Sequence, residues 1–480
     1  MSPNGRPTPS SEEPVLTKLV TDFIADFKLN DAPAEAHEIA GRLIADCLSV
    51  TAAGTRSPAA QHVIAHVARF TGQPAAPVIG TTHVVPAPLA ALANGTSAHA
   101  LDFDDDEPAV FVGHPTSPVL TALISLGYLK PVSGAETITA YLVGSDVQSA
   151  LARAVNPGHY LDGWHATSTL GVIGATAAGA KLIKLNSHQT AHALAIASSC
   201  VSGLKVNFGT MTKPFHVGRA AEAAVTAVLL ASEGFTAADN VFDGPLGLLN
   251  VLSAEPLVAV EAFHELRSRR AVIEPGVAIK RYPSCSSTHP AVDALLELRE
   301  KHDFNADSIE RISCQLAPSA QEILIYDKPS TPLEAKFSAS YCLAVAVVHG
   351  ELSQSAFTPP ALEDAEVMSL VDRIDVTYNS DLDQPKIGVS TAARVKVAFI
   401  DGAEVQEVKW IPKGSAGSPL TTEELWEKFR ACTSGLMDEP NARSAFHRVL
   451  SLKNEPTLSR VLDLFRRCET DTPVRSETQS

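Results

Sequence analysis

The sequence predicts a mainly α-helical protein, in which a large all-helical domain carries a smaller α+β domain. Three observations predict it. Aromatic residues make up only 6% of the chain while Ala and Leu abound, a composition suited to closely packed helices. From about residue 15 to 270, one helical pattern follows another. After Pro275 the pattern changes to short alternating strands, and at Thr421 it turns helical again.

In the first stretch, Ser133-Gly-Ala-Glu136 is a capping box opening a helix whose apolar face runs through Ile138, Leu142 and Val147. Asn186 and Gln189 open another that holds His192, Leu194 and Ile196. An Ala-dense helix runs from about Gly218 to Ser232, with Val225, Val228 and Leu229 on its apolar side. Beyond Pro275, the segments 312–316, 374–378 and 395–399 alternate. The last leads through Asp401-Gly402 into Val405–Trp410, a hairpin signal. Helical pattern interrupts these strands at about 288–302 and 335–349. Thr421-Thr-Glu-Glu424 then caps a new helix, and 421–470 is helical. The expected division is a helical domain of 15–275 and 413–470, an α+β domain of 276–412, and disordered tails at 1–14 and 471–480.

Charge and composition narrow the function. With 38 basic against 54 acidic residues the net charge is −16, and no Lys/Arg cluster forms the basic face that a nucleic acid needs. Seven scattered cysteines form no CxxC pair, the usage of a reduced intracellular protein. The N-terminus lacks the apolar core of a signal peptide, and no run approaches the ~20 apolar residues of a membrane span. The expectation is a soluble cytoplasmic protein with neither nucleic acid nor membrane as a partner.

Polar chemistry concentrates in a few places. His99-Ala-Leu-Asp102-Phe-Asp104-Asp105-Asp106-Glu107 and Gly113-His114-Pro115 put five carboxylates and two histidines within sixteen residues. Such charge beside apolar sequence calls for a metal, cations or a substrate. Three chemistries fit. The acids can offer hard oxygen ligands to Mg²⁺, although a second metal motif is not evident. Asp102-Phe-Asp104-Asp105 matches a proton-donating D-x-D-D pattern, but three Trp and seven Tyr poorly supply the aromatic walls that carbocations need. Third, a carboxylate can orient basic residues. Against these stands the plain reading of Asp104, Asp106 and Glu107 as solvated or capping acids.

Further candidates follow along the chain. His114 before Pro115 and Lys213 before Pro214 are expected to be held extended and presented into a cleft. Tyr160 and His165 stand in Gly158–His165, ahead of a small-residue helix starting near Thr167. Lys213 and His216 lie in a Gly-rich basic stretch ending at Arg219. Lys280 and Arg281 fall at the change of domain, where clefts form. Tyr326, Lys328, Glu334 and Lys336 add polar candidates.

Taken in order, Asn94-Gly-x-x-x-His99-x-x-Asp102-Phe-Asp104-Asp105, Gly113-His114-Pro115, Gly163-Trp164-His165, Thr212-Lys213-Pro214 with His216, and Lys280-Arg281-Tyr282-Pro283 resemble the MmgE/PrpD family. That family contains 2-methylcitrate dehydratases, cis-aconitate decarboxylases and an iminodisuccinate epimerase. The resemblance covers about 15–465. It implies a homodimer with a large helical domain, a smaller α+β lid and a site in the cleft between them. It carries over Asp102, His114, His165, Lys213, Lys280 and Tyr326 as catalytic positions. His99, Tyr160, His216 and Arg281 are expected to contact substrate. Two departures from the decarboxylase branch stand out: about two extra residues between Asp102 and His114, and Asp106 in place of a Thr.

The chemistry shared across the family is a carbanion next to a carboxylate. Lys213, Lys280 and the histidines would stabilise it as preorganised positive charge, without metal or organic cofactor. The expected activity is a cofactor-independent lyase on a citrate- or aconitate-like polycarboxylate, by dehydration or decarboxylation. Epimerisation of an amino-dicarboxylate such as iminodisuccinate is the alternative, and a non-catalytic helical scaffold the remote one.

Overall fold

The computed structural model describes residues 15–252, 259–383 and 391–467, so the tails expected at 1–14 and 471–480 lie outside the described residues. The first part of the chain forms helices α1 (Val15–Asp26), α2 (Ala34–Gly54), α3 (Pro58–Val67), α4 (Ala87–His99), α5 (Thr116–Gly127), α6 (Gly134–Val155), α7 (Gly171–Ile183), α8 (Ser187–Ser198) and α9 (Thr212–Ser232). The capping boxes Ser133–Glu136 and Asn186–Gln189 open α6 and α8, as the sequence indicates. A two-stranded ribbon, β1 (Ala75–Pro77) paired antiparallel with β2 (Val84–Pro86), has no counterpart in the sequence reading and leads into α4.

Helix α9 begins at Thr212 rather than near Gly218, so Lys213 sits in a first helical turn and is not extended. Pro214 is tolerated there because the N–H it lacks would have had no partner within the helix. Contrary to the expectation that no run approaches a membrane span, Ala166–Ile183, which includes α7, is long and apolar enough for one by length and composition. Nearly all of it is nevertheless buried, and α7 packs against α5, α6 and α9.

Small residues let α4 and α9 cross closely. A Cβ on Gly95 would stand 2.8 Å from the Gly218 Cα, closer than real side chains approach. Gly95→Val should therefore destabilise the protein by about 1–3 kcal/mol through overpacking, which a lowered denaturation midpoint would register.

The smaller unit has its own apolar core, drawn from Tyr282 to Val397. Strand β3 (Ile309–Leu316) lies parallel to β4 (Ile374–Tyr378) and antiparallel to β5 (Ala393–Phe399). Strand β5 pairs with β6 (Glu404–Lys409), giving the order β4-β3-β5-β6. Alternation buries Ile312, Cys314 and Leu316 of β3 with Val395 and Val397 of β5. Helix α10 (His289–His302) packs against β5 and β6. The parallel β3–β4 connection runs through α11 (Ala339–His349) and α12 (Ala365–Val371).

The chain then returns to the first core. Helices α13 (Thr422–Thr433) and α14 (Glu439–Leu450) lay Trp426, Phe429 and Phe446 among the apolar residues around α2. The site lies where the two cores meet.

Candidate active site

Helix α4 ends at His99, and the loop from Ala100 to Pro115 folds back on itself before α5. The Asp106 backbone pairs with Ala278 in both directions, at 2.9 and 2.8 Å, drawing the Lys280 segment alongside the acidic loop. A second bridge, Trp164 to Leu204, sets His165 beside the loop that carries Phe208.

All five acids are buried, contrary to the solvated reading, and each has a distinct occupation. Asp104 accepts from His99 Nδ1 at 2.9 Å and from Ser117 Oγ at 2.6 Å. Burial raises its pKa, but His99 and His114 outweigh that and hold it below the ordinary carboxylate range. Asp105 accepts from the Thr116 amide at the start of α5, at 3.2 Å, and burial lifts it well above its usual value. Glu107 accepts from the amides of Ala109, Val110 and Phe111, and burial pushes it up to about 7. Asp106 faces the cleft, where burial raises it to about 6 against the pull of Lys280.

Asp102 is the centre of charge. Its backbone takes a left-handed conformation, φ 51°, that Asp adopts more readily than most residues. The carboxylate receives Lys280 Nζ at 2.9 Å on one oxygen and Lys213 Nζ on the other. Burial opposes its ionisation, yet the two lysines hold it well below the ordinary range. Asp102 in turn outweighs desolvation at Lys280 and raises that ammonium's pKa.

His114 does stand outside any helix, as its place before Pro115 predicts. Its Nδ1 lies 2.6 Å from the Asp105 carbonyl, so that nitrogen carries the hydrogen and donates it. The bare Nε2 is left on the Asp102 side, 4.0 Å from Oδ1. Burial pushes its pKa well below 6.5. His165 is likewise pushed well below, first by burial and then by neighbouring histidines and Lys213. Its Nδ1 stands 3.1 Å from His216 Nδ1, so the two rings share one proton there. Both cleft histidines should therefore remain neutral at pH 6, where a free imidazole is mostly charged. Imidazole ¹⁵N shifts recorded at pH 6 would check this.

Asp102, Asp106, His114, Tyr160, His165, Lys213 and Lys280 together line a cavity of about 50 Å³. Its apolar walls include Phe208, Phe337, Ile323 and Val112, with Cys285–Ser287 closing one side. Phe208 and Phe337 flank Lys213, each ring centroid 5.3 Å from Nζ.

Four sequence-stated positions fall elsewhere. His99 backs onto His114, ring centroids 4.4 Å apart, and His216 backs onto His165, so each touches a lining histidine rather than the cavity. Arg281 turns away from the cavity, 45% exposed, and pairs with Asp293 at 3.3 Å. Tyr326 is not part of the lining. Its hydroxyl packs where a Gly209 Cβ would be, 2.6 Å away, so it supports the Phe208 loop.

His99, Asp104 and His114 have ligand atoms within 4.8 Å of one another, a set of metal-binding type. Here the Nδ1 atoms of both histidines are committed to hydrogen bonds, to Asp104 and to the Asp105 carbonyl. Two buried lysines stand behind the wall: Lys336, a polar candidate in the sequence without an assigned role, and Lys428, which the sequence reading misses. Lys336 stands out only as one polar residue near Glu334. Lys428 reads as an ordinary member of an amphipathic helix.

Fold and cleft place the chain among mainly helical, two-domain proteins with a polar cavity between the cores. The family model described as MmgE/PrpD N-terminal domain matches residues 18–260, and that described as MmgE/PrpD C-terminal domain matches 282–452. The chain belongs to the MmgE/PrpD family. It is 26% identical over 478 residues to the cis-aconitate decarboxylase-like protein oryM of Aspergillus oryzae, covering 95% of this chain and 98% of that one. It is 29% identical over 381 residues to the cis-aconitate decarboxylase of Homo sapiens, covering 77% of each. With the Mus musculus cis-aconitate decarboxylase the identity is 26%, over 92% of this chain and 91% of the other.

Proposed function

We propose that this protein is a cofactor-independent lyase that decarboxylates an aconitate-like polycarboxylate. The observation that carries this reading is the sharing of Asp102 by Lys213 and Lys280 in a cavity onto which the bare nitrogen of a neutral His114 opens. The relatives' names support the choice of decarboxylation.

In this reading the two ammoniums receive substrate carboxylates. The C–C bond to one carboxylate breaks, CO₂ leaves, and the electron pair passes into the adjacent unsaturated system. Preorganised cations stabilise that charge as it develops. The proton that completes carbon comes from water, relayed on the His114 or His165 side, because the bare Nε2 of a neutral His114 must take one up before it can give one. At neutral pH Asp102 and a largely ionised Asp106, lifted by burial to about 6, balance Lys213 and Lys280, so the cavity gains net positive charge for an anion as Asp106 takes up a proton.

Dehydration is the second reading, and Asp106 favours it. A carboxylic acid in the cavity wall beside Lys280 can protonate a departing hydroxyl. The protein is further proposed to act as a cytoplasmic homodimer without a metal.

Incubation in D₂O with citrate, 2-methylcitrate, cis-aconitate and iminodisuccinate tests these readings. CO₂ release from cis-aconitate supports decarboxylation. A new alkene without CO₂ selects dehydration. Deuterium incorporation with neither change points to epimerisation, and inertness towards all four overturns the lyase reading. Activity that survives chelation, at the mass of a dimer, is the expected accompaniment.

A further inference from the structure

Three consecutive carbonyls at the Asp102 turn each accept a hydrogen bond from a different buried lysine. Lys336 Nζ donates to Leu101 O at 2.8 Å, Lys280 Nζ to Asp102 O at 3.0 Å, and Lys428 Nζ to Phe103 O at 2.8 Å. The three lysines arrive from separate places. Lys280 is at the junction between the cores, Lys336 precedes α11 in the smaller unit, and Lys428 lies in α13 of the larger one.

Two of these lysines also grip the other side of the ion pair. Lys336 donates to Pro283 O at 2.7 Å and Lys428 to the carbonyl of Lys280 itself at 2.9 Å. Each therefore ties the segment 101–103 to the segment 280–283. Neither lines the cavity. Lys428 is neutralised by Asp46 of α2 at 2.6 Å, whereas the bonds found for Lys336 are to carbonyls, with the Phe357 ring centroid 4.1 Å away.

We infer that Lys336 and Lys428 are positioning residues, a clamp that holds the left-handed Asp102 turn and the Lys280 segment in mutual register. The inference rests on the reading of the cleft as catalytic. A left-handed Asp does not hold itself, because L-residues disfavour that conformation. Buried carbonyls in such a turn also need donors. An ammonium on each carbonyl meets both needs, and the same lysines fix the partner segment. Burial pushes the Lys336 amine down to about 7, yet the neutral amine still has two hydrogens for its two carbonyls. The clamp at Lys336 thus survives loss of its charge.

The test uses Lys336→Met and the paired variant Asp46→Asn/Lys428→Met, which leaves no buried carboxylate without its cation. Misplacing the Asp102 carboxylate by even an ångström should lower kcat by about 10²-fold, with KM changing much less. The groups facing Lys280 are Asp102, Asp106, Asp104 and Cys285, and Asp102 is the strongest in raising its pKa. Loosening Asp102 should therefore let Lys280 lose its proton earlier, and the alkaline limb of kcat/KM should move to lower pH. A residue with only a structural role would reduce the folded fraction without moving that limb.

Amide hydrogen exchange supplies a readout independent of turnover. Residues 101–106 should exchange faster in both variants, while α5 keeps its protection. Wild-type kcat and an unmoved alkaline limb in both variants would overturn the positioning role, and so would unchanged exchange at 101–106. If the wild-type protein turns over no polycarboxylate, the proposed activity fails, and the exchange data alone decide for or against the clamp.

Discussion

Replacing Lys213 by alanine is expected to lower kcat/KM by about 10²–10³-fold, the usual consequence of deleting one preorganised donor at developing charge. The protein should stay folded. Asp102 keeps Lys280 on its other oxygen at 2.9 Å, so the deletion leaves no buried carboxylate without a cation. Lys213 also occupies the first turn of α9, where alanine is well tolerated. Kinetics on whichever polycarboxylate the protein turns over, with circular dichroism and a thermal melt alongside, separate the two effects. A variant with near wild-type rate would remove Lys213 from the mechanism.

Asp102→Ala should be costly in a second way. It leaves two buried ammoniums without their shared carboxylate, and breaking a buried pair by removing one partner costs about 3–5 kcal/mol. Alanine also lacks the tolerance of Asp for the left-handed conformation at φ 51°. Asp102→Asn should behave differently. Asparagine accepts that conformation and still offers an oxygen, so its denaturation midpoint should lie clearly above that of the alanine variant. Its activity should nevertheless fall, because the negative charge that sets the two lysines is gone. Equal stability of the Ala and Asn variants would contradict this account.

Much of this arrangement is legible in the sequence because it is written in local signals. The capping boxes at Ser133 and Asn186, the hairpin at Asp401-Gly402 and the alternation around Ile312 depend on neighbours a few residues away, and they appear where expected. His114 and Lys213 show the limit of such signals. Both precede a proline, but Lys213 lies in a helix start where proline is harmless, and only His114 is non-helical. Lys280 and Arg281 look equivalent as neighbouring cations until folding puts Lys280 in the cavity wall and leaves Arg281 half exposed on Asp293. The occupations of Asp104, Asp105 and Glu107 depend on His99, Ser117, Thr116 and local amides brought together by folding. Lys336 and Lys428 are the extreme case. Their partners are backbone carbonyls, which carry no mark in the sequence, and some lie hundreds of residues away.

The return of α13 and α14 to the first core has a consequence for the protein's birth. The nascent chain completes α2 early, yet the aromatic cover from Trp426, Phe429 and Phe446 emerges only after the whole smaller unit has been made. At about 5–20 residues per second, translation of residues 280–420 takes on the order of ten seconds. Through that interval Ala40, Leu43 and Ile44 lack their final neighbours, and Asp46 waits for Lys428. The long-range closure that assembles the cleft thus leaves this apolar face of α2 without its aromatic cover for that interval of synthesis. A chain ending before residue 420 would lack the α13 and α14 cover of α2, whose other neighbours include α4, α5 and α6.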